Sequence, residues 1–300
     1  MKILHGFSQS RVSGKAGAPL VLCVLLLLGA RADAVLLLND TFSDGERLTQ
    51  NLPTSARWFT GGATGTVTSS ASGLTFTDTS PTKATAMAYF SPSTLSIGQS
   101  ITLSFNYQFQ TVANSDNAFM FGLYNSGGSR LTTDGLGFNN ALFNNYTGVA
   151  TSGVFGVDPS GPGRDHIEAR FEGGNNLLSI GTYEEGEQYK QSGAATPGTL
   201  YAASMQVTRT AEGVTVESKV GNTDIVQNFS GTNLAKFDAV GIFSNGSTGS
   251  FTVDGVKVEL TGLPEPSSFL ALGFFGAMVF GGATGRKLKA ALHAFREPLI

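Results

Sequence analysis

The sequence has few charges, few histidines and a single cysteine, and each shortage excludes a class of function. Only 14% of its 300 residues are Asp, Glu, Lys or Arg, and the formal net charge is −3. Such a chain lacks the basic surface that neutralises phosphates, so nucleic acid is not an expected partner. One Cys excludes an intramolecular disulfide and a Cys-rich zinc site, and three His leave little material for a histidine metal cluster.

Glycine and phenylalanine, by contrast, are abundant. The chain has 39 Gly, 22 Phe and 41% hydrophobic residues. These residues supply a large core and many tight turns, and the glycines lack the period of collagen. The composition therefore favours many short β-strands over long helices.

The first 34 residues have the organisation of a secretory signal peptide. A basic start is followed by the apolar run 20–28 and by Ala32-Asp33-Ala34, an A-x-A sequence that predicts cleavage by signal peptidase after Ala34. The alternative is an uncleaved signal anchor, for which the apolar run is short. Cys23 lies in this segment, so the exported chain would contain no cysteine.

The last part of the chain contains a second candidate membrane segment. Pro264-Glu265-Pro266 precedes the apolar stretch 269–284, and a basic cluster follows, formed by Arg286, Lys287 and Lys289. The length of the stretch and the cations after it predict a transmembrane helix with its basic end on the cytoplasmic side. A buried core helix is the alternative, but the stretch has no polar face to present to water.

The order of Pro-Glu-Pro, apolar span and basic cluster over residues 264–289 resembles the PEP-CTERM sorting signal of bacteria with an outer membrane. In that family an exosortase, a membrane-embedded cysteine protease-like transpeptidase, separates the protein from its anchor for surface delivery. The resemblance implies an exosortase as a partner during export. The tail 290–300 is longer than the family usually carries after its basic cluster.

Residues 35–263 are expected to form one all-β domain, an antiparallel sandwich of jelly-roll type. Apolar and polar residues alternate over 101–110, and also over 201–209 and 213–220, which we expect to form a hairpin. Segments 119–124 and 239–243 are apolar on both faces, as in central strands that are covered on both sides. The domain contains 11 basic and 19 acidic residues, a net charge of −8.

The final segment, 251–260, changes its buried face at Asp254-Gly255, which predicts a β-bulge. Residues 38–58 and 251–258 resemble the opening and closing segments of secreted concanavalin A-like lectin/glucanase domains. The resemblance implies that the first and last strands are neighbours. It also implies a structural calcium ion near their acidic residues, with Asp40 and Asp254 as candidate ligands. The alternative role for both carboxylates is hydrogen bonding in caps and turns.

An enzyme of this fold would need a pair of carboxylates. Glu185 and Glu187 would share one face of a strand, as a retaining glycosidase requires, and the glucanases of the resembled fold carry such a strand motif. The alternative is a solvated loop, because Gly186 separates the pair and no apolar flank buries it. A Ser-His-Asp hydrolase would have to use His166, but the sequence lacks a G-x-S-x-G motif.

The best candidate for glycan binding is the Asn-rich segment 137–146, where Asn140, Asn144 and Tyr146 offer planar amides and a ring. An ordinary turn-rich connection is the alternative. Trp58, the one tryptophan, is expected in the core.

These features predict a secreted, non-enzymatic protein of the cell envelope, outer surface or extracellular matrix. It would be anchored transiently in the inner membrane and would contact extracellular polysaccharide. The alternatives are a glycan hydrolase or lyase of the same fold, and a passive structural component of the envelope.

Overall fold

The structure, a computed structural model, describes residues 34–62, 66–78, 83–111, 119–135, 140–153, 166–171, 177, 183–185, 195–231, 233–245 and 249–262. They belong to one compact unit, Ala34–Gly262. Fifteen strands lie in these ranges: Val35–Asp40 (β1), Trp58–Gly62 (β2), Thr66–Ser70 (β3), Gly73–Asp78 (β4), Lys83–Thr94 (β5), Ser100–Thr111 (β6), Phe119–Asn125 (β7), Thr147–Gly153 (β8), His166–Arg170 (β9), Tyr183–Glu185 (β10), Leu200–Arg209 (β11), Gly213–Val220 (β12), Thr223–Ser230 (β13), Lys236–Asn245 (β14) and Gly249–Thr261 (β15). Two 3₁₀ helices, Ala141–Asn145 and Asn233–Ala235, accompany them.

The strands form two antiparallel sheets. The eight-stranded sheet has the order β13-β12-β11-β6-β15-β4-β3, with β1 also paired to β15, and the seven-stranded sheet has the order β10-β9-β8-β7-β14-β5-β2. The predicted antiparallel sandwich is therefore confirmed. No helix in the described part of the chain is long and apolar enough to cross a membrane.

The alternation in the sequence places the strands as expected. In β6 the odd positions from Ile101 to Phe109 are buried while the even positions are half-buried or exposed. The predicted hairpin is formed by β11 and β12, which pair from Ala203 with Val220 to Arg209 with Val214. The two segments that are apolar on both faces are β7 and β14, and they lie side by side in the middle of the seven-stranded sheet.

The main core lies between the sheets, where inward-facing side chains from both meet. Trp58 is fully buried there, as predicted, and its neighbours include Phe42, whose ring centroid lies 6.0 Å away. Phe105 and Phe121 make an edge-to-face contact across the sandwich at 5.0 Å. Large aromatic side chains buried in this way dominate the energetics of a core.

The predicted neighbours β1 and β15 pair along their length, with Asp40 opposite Val256. The predicted bulge is also present, because the register between β15 and β6 shifts between Asp254 and Lys257. Gly255 has a φ of +65°, a left-handed conformation that glycine adopts without the steric cost of a Cβ atom.

A second hydrophobic cluster lies on the outer face of the seven-stranded sheet, which we name the covered face. The strands contribute Phe59, Met87, Tyr89, Met120, Tyr124, Ala150, Ala239 and Phe243 to this cluster. The segment between β7 and β8, which we name the cover (residues 126–135 and 140–146), contributes Leu131, Phe143 and Tyr146. This second cluster explains why β7 and β14 are apolar on both faces.

Candidate functional site

Two tyrosine-linked hydrogen bonds fasten the cover to β5, and a third joins the two parts of the cover. The Tyr146 hydroxyl donates to the Ser129 carbonyl at 2.7 Å and contacts the Tyr89 hydroxyl at 2.8 Å, and Tyr89 accepts from the Leu131 N–H at 2.9 Å. Because the Tyr146 proton goes to Ser129, Tyr89 donates to Tyr146. Burial raises the pKa of both tyrosines above its usual value, and both hydroxyls are protonated at neutral pH.

Asp238 on β14 fastens the beginning of the cover. Its carboxylate accepts from the Ser126 N–H at 2.7 Å and from the Ser126 hydroxyl at 2.8 Å, and it also accepts from Arg130 Nε and Nη2 at 3.1 and 3.0 Å. Arg130 in turn donates to the Phe90 carbonyl at 2.7 Å and lies over the Tyr89 ring. Asp238 and Ser126 are both buried, so the two bonds between them form away from water, where charge-assisted bonds are strong, whereas the Arg130 side chain is 36% exposed.

Asp134 fastens the middle of the cover to the region before β2. It accepts two bonds from the Arg47 guanidinium, at 3.2 and 3.0 Å, and one from the Thr60 N–H at 2.9 Å. Partial burial would raise the pKa of Asp134, but the Arg47 and Thr60 hydrogen bonds outweigh this and hold the pKa below its usual value.

Of the three residues predicted to bind glycan, Asn140 and Tyr146 make structural contacts and Asn144 is exposed. Asn140 caps the 3₁₀ helix, since its side chain accepts from the Leu142 N–H at 2.9 Å. Tyr146 is fully buried, so the prediction that its ring faces a glycan is wrong: the ring packs in the outer cluster instead. Asn144 is exposed, and so is its neighbour Asn145.

Asn144 and Asn145 lie on a rigid edge of the sandwich. Arg170 of β9 is fully buried and donates to the Phe143 and Tyr146 carbonyls at 2.6 and 2.9 Å, which holds the end of the 3₁₀ helix. On the other side the 125–128 turn packs against Asn145, and a Cβ atom at Gly127 would lie only 2.8 Å from the Asn145 carbonyl oxygen. The two amides therefore project from a backbone that is fixed on both sides. We name them the amide edge.

A buried polar row lies beside the amide edge on β9. His166, Glu168 and Arg170 alternate with Ile167 and Ala169 of the main core, so the three polar side chains share the covered face. His166 Nε2 pairs with Glu168 Oε1. Glu168 is 3% exposed, and its other oxygen has no hydrogen-bond partner among the described residues.

The predicted carboxylate pair is only partly placed. Glu185 ends β10, where its register partner on β9 is Glu168, and Glu187 lies outside the described residues. The register therefore brings a different glutamate opposite Glu185 from the one predicted. His166, the residue that a Ser-His-Asp hydrolase would require, is engaged with Glu168.

The two predicted calcium ligands have different surroundings. Asp40 is buried and accepts from the Phe42 N–H at 2.8 Å, the Ala56 N–H at 3.1 Å and Trp58 Nε1 at 2.8 Å, while burial raises its pKa. Asp254 is half-buried at the bulge on β15. Within the described ranges no group of three or more His, Cys, Asp or Glu could hold a metal ion. Asp40 thus makes the turn hydrogen bonds of the alternative interpretation, and calcium remains a prediction.

The predicted export signals lie almost wholly beyond the described ranges. Ala34 is the first described residue and is exposed. Ala32, Pro264-Glu265-Pro266, the predicted membrane span and the basic cluster Arg286, Lys287 and Lys289 lie outside the described residues.

Sequence reasoning missed the anchors Asp238 and Arg170. The H-x-E-x-R alternation at 166–170 was a usable signal for the β9 row, since polar residues alternate there with Ile167 and Ala169. The sequence around Asp238 contains no such signal, because the four hydrogen bonds to its carboxylate come from a segment more than 100 residues away.

Comparisons with known proteins give similarity of structure alone. No protein-family model matches the sequence, and no curated protein matches it. Among solved structures, the chain is similar to the Emp47p carbohydrate recognition domain at 12% identity, covering 78% of this chain and 97% of that one with a TM-score of 0.44. It is similar to lectin UEA-II complexed with galactose at 15% identity, covering 77% and 99%, with a TM-score of 0.44. It is also similar to the VIP36 exoplasmic/lumenal domain in its Ca²⁺/Man2-bound form at 11% identity, covering 78% and 90%, with a TM-score of 0.46.

Proposed function

We propose that this is a secreted, non-enzymatic protein that contacts extracellular polysaccharide through the amide edge. The observation that carries the proposal is the exposure of Asn144 and Asn145 on a segment whose neighbours are buried anchors. A planar amide offers two donors and an acceptor to sugar hydroxyls. Because the backbone beneath the amides is already fixed, little conformational entropy is lost when a ligand binds.

The net charge limits the glycans that fit. Residues 35–263 carry a net charge of −8, which disfavours polyanions at low ionic strength. The amide edge is expected to prefer neutral sugars.

A glycan array with the full-length protein tests this proposal. The Asn144→Ala/Asn145→Ala variant should lose at least about tenfold in affinity, since each lost hydrogen bond contributes about 1 kcal/mol. The matched control is Asn228→Ala, which removes an exposed amide from β13 in the other sheet. Equal binding by wild type and the double variant would refute a role for the amide edge.

Export and sorting form a separate part of the proposal. The signal peptide at 1–34 and the PEP-CTERM-like segment 264–289 would direct the chain to the envelope or matrix, with signal peptidase and an exosortase acting in turn. Replacement of Pro264-Glu265-Pro266 by three alanines should abolish surface display and leave the anchored form in the membrane fraction. Unchanged display, with an unchanged mature C-terminus by intact mass, would refute exosortase sorting.

A glycan hydrolase or lyase is the second candidate, and the register of β9 and β10 favours it. Glu168 and Glu185 are direct register partners on antiparallel strands, so the two residues lie on the same face of the sheet. A glycoside hydrolase needs two carboxyl groups that flank the scissile bond. Release of reducing sugar from neutral polysaccharides that disappears in both Glu168→Gln and Glu185→Gln, but not in Glu184→Gln, would establish this activity in place of simple binding.

A further inference from the structure

The outer face of the eight-stranded sheet, which we name the open face, carries an uncharged array of hydroxyl and amide side chains. It spans four adjacent strands, β3, β4, β15 and β6. Each strand contributes two residues two positions apart. The register aligns Thr68, Thr75, Thr252 and Gln108 in one cross-strand row and Thr66, Thr77 and Ser250 in a second. Gln110 lies where the register between β15 and β6 shifts, and it joins the second row through its hydrogen bond with Ser250. We name this set the hydroxyl lattice.

The geometry of the lattice is set by the sheet beneath it. Val67, Phe76 and Phe251 pack into or against the main core, so the residues between them face outward. The spacing is about 4.8 Å between strands and about 6.7 Å between successive outward residues on one strand. Thr66, Thr68, Thr77 and Gln110 are exposed, and the other four are half-buried.

Hydrogen bonds within the lattice fix its side chains. Gln110 Nε2 donates to Thr252 Oγ1 at 2.9 Å, and Ser250 Oγ donates to Gln110 Oε1 at 3.1 Å. The hydroxyls of Thr252 and Thr75 are 3.0 Å apart. These contacts orient the remaining donors and acceptors, which reduces the entropy that binding would cost.

The chemistry of the lattice selects its partner. None of the eight residues is charged, while the domain has a net charge of −8. Asp254, half-buried and two residues from Thr252, borders the lattice, and farther along the same face Lys257 pairs with Glu259 at 2.8 Å and Lys219 with Asp224 at 3.8 Å. The lattice has no cation for a polyanion, and one bordering carboxylate does not make a site for a basic peptide. It also contains no aromatic or aliphatic anchor of the kind found at protein interfaces, which disfavours a second copy of this chain.

We propose that the hydroxyl lattice is a second polysaccharide contact, which binds the flat, ordered surface of a neutral, hydroxyl-rich polymer. The inference rests on the proposed polysaccharide association but uses the opposite face of the sandwich from the amide edge. A flat partner can engage both rows together, and many individually weak hydrogen bonds then act as one multivalent contact. The amide edge, with two neighbouring amides, suits short soluble glycans.

The test is sedimentation of the purified full-length protein with microcrystalline cellulose. The Thr66→Val/Thr68→Val/Thr77→Val variant removes three exposed hydroxyls and keeps the branched shape that suits a strand. We expect at least a tenfold loss of bound protein at limiting cellulose. The matched control, Thr102→Val/Thr208→Val/Thr215→Val, removes three hydroxyls from the same face outside the lattice and should bind as wild type does. Thermal melts of both variants check that each is folded.

The possible outcomes separate this inference from the proposed function. Loss of cellulose binding in the lattice variant, with binding retained by Asn144→Ala/Asn145→Ala, supports the lattice even if the glycan array is negative. Equal binding by wild type and lattice variant, or equal loss in the control variant, overturns it. A change of oligomeric state in the lattice variant without a change in cellulose binding would assign this face to self-association and also overturn it.

Discussion

The two outer faces of the sandwich have opposite characters. The covered face is buried beneath the cover and holds a second hydrophobic cluster with an ionic anchor at Asp238. The open face carries short polar side chains, and its ion pairs lie partly in solvent, as in Lys257–Glu259. The difference lies in the strands and in the segment between them: the strands of the covered face carry apolar side chains on their outer side as well, and the cover buries these side chains, whereas β6 alternates.

This difference determines what each face can contribute. Asp238 and Tyr146 are withdrawn from water by the cover, so the loss of either leaves a buried hydrogen-bond partner unpaired at a high energetic cost. Polar groups on the open face can return to water, so their mutual bonds add little to stability and remain available to a ligand. We infer that the polar groups beneath the cover stabilise the domain, and that binding falls to exposed groups, namely the amide edge on the cover and the open face.

The largest expected loss of stability follows the removal of the Asp238 carboxylate. The Asp238→Ala change leaves the Ser126 N–H and part of the Arg130 guanidinium without their acceptor. Arg130 is 36% exposed and can bond to water instead, but Ser126 is buried, so the loss of its acceptor should lower the free energy of unfolding by about 2–3 kcal/mol. Urea denaturation followed by tryptophan fluorescence measures this, since Trp58 is buried in the main core.

Glu259→Ala is the matched control on the open face. It also removes a carboxylate that pairs with one cation, but the Glu259 side chain is 29% exposed, whereas that of Asp238 is 5% exposed. The expected loss is below about 1 kcal/mol. Equal losses at Asp238 and Glu259 would contradict the contrast between the faces.

Removal of the Tyr146 hydroxyl should cause a smaller loss of stability. Tyr146→Phe keeps the ring in the outer cluster but removes the donor to the Ser129 carbonyl and the acceptor from Tyr89. Two buried polar groups lose a partner, so the expected loss is about 1–2 kcal/mol. Hydrogen exchange at the Leu131 amide should also become faster, because Tyr89 loses the partner that orients its hydroxyl.

Tyr201→Phe provides the comparison on the other sheet. The Tyr201 hydroxyl accepts from the exposed Thr196 N–H, which can bond to water instead. A loss of stability at Tyr201 as large as that at Tyr146 would show that the cover does not exclude water from the tyrosine chain.

The sequence was sufficient to predict the sandwich but not the cover. Period-two alternation identified β6 and the β11–β12 hairpin because each strand reports its own buried face. The change of face at Asp254-Gly255 predicted the bulge for the same reason. These patterns lie within single strands, so they can be recognised in the sequence without knowledge of the tertiary structure.

The site depended on contacts between distant segments. Tyr146 lies in an Asn-rich loop, and its composition suggested an exposed ring, whereas Tyr89 and Ser129 bury it. The Glu168–Glu185 register likewise joins strands whose separation gives no local pattern. The hydroxyl lattice had a visible signal, the T-x-T at 66–68 and 75–77, but only the strand order makes these pairs adjacent.

A small effect is expected at Asp134, which lies at the boundary between the two environments because its side chain is 40% exposed. Its pKa is held below the usual 3.8 in the folded protein, so its contribution to stability is present above that pH and is lost as the pH falls through the lowered pKa. Asp134→Asn keeps an acceptor for the Thr60 N–H but removes the Arg47 ion pair. The difference in unfolding free energy from wild type should therefore be below about 1 kcal/mol at neutral pH and should shrink at pH values below 3.8. Asp224→Asn, which breaks an ion pair on the open face whose side chains are 55% and 67% exposed, should change stability at neutral pH by only a few tenths of a kcal/mol. Urea titrations at pH 7 and pH 3 measure both differences, and an Asp134 difference that grows as the pH falls would show that Arg47 does not stabilise the ionised carboxylate.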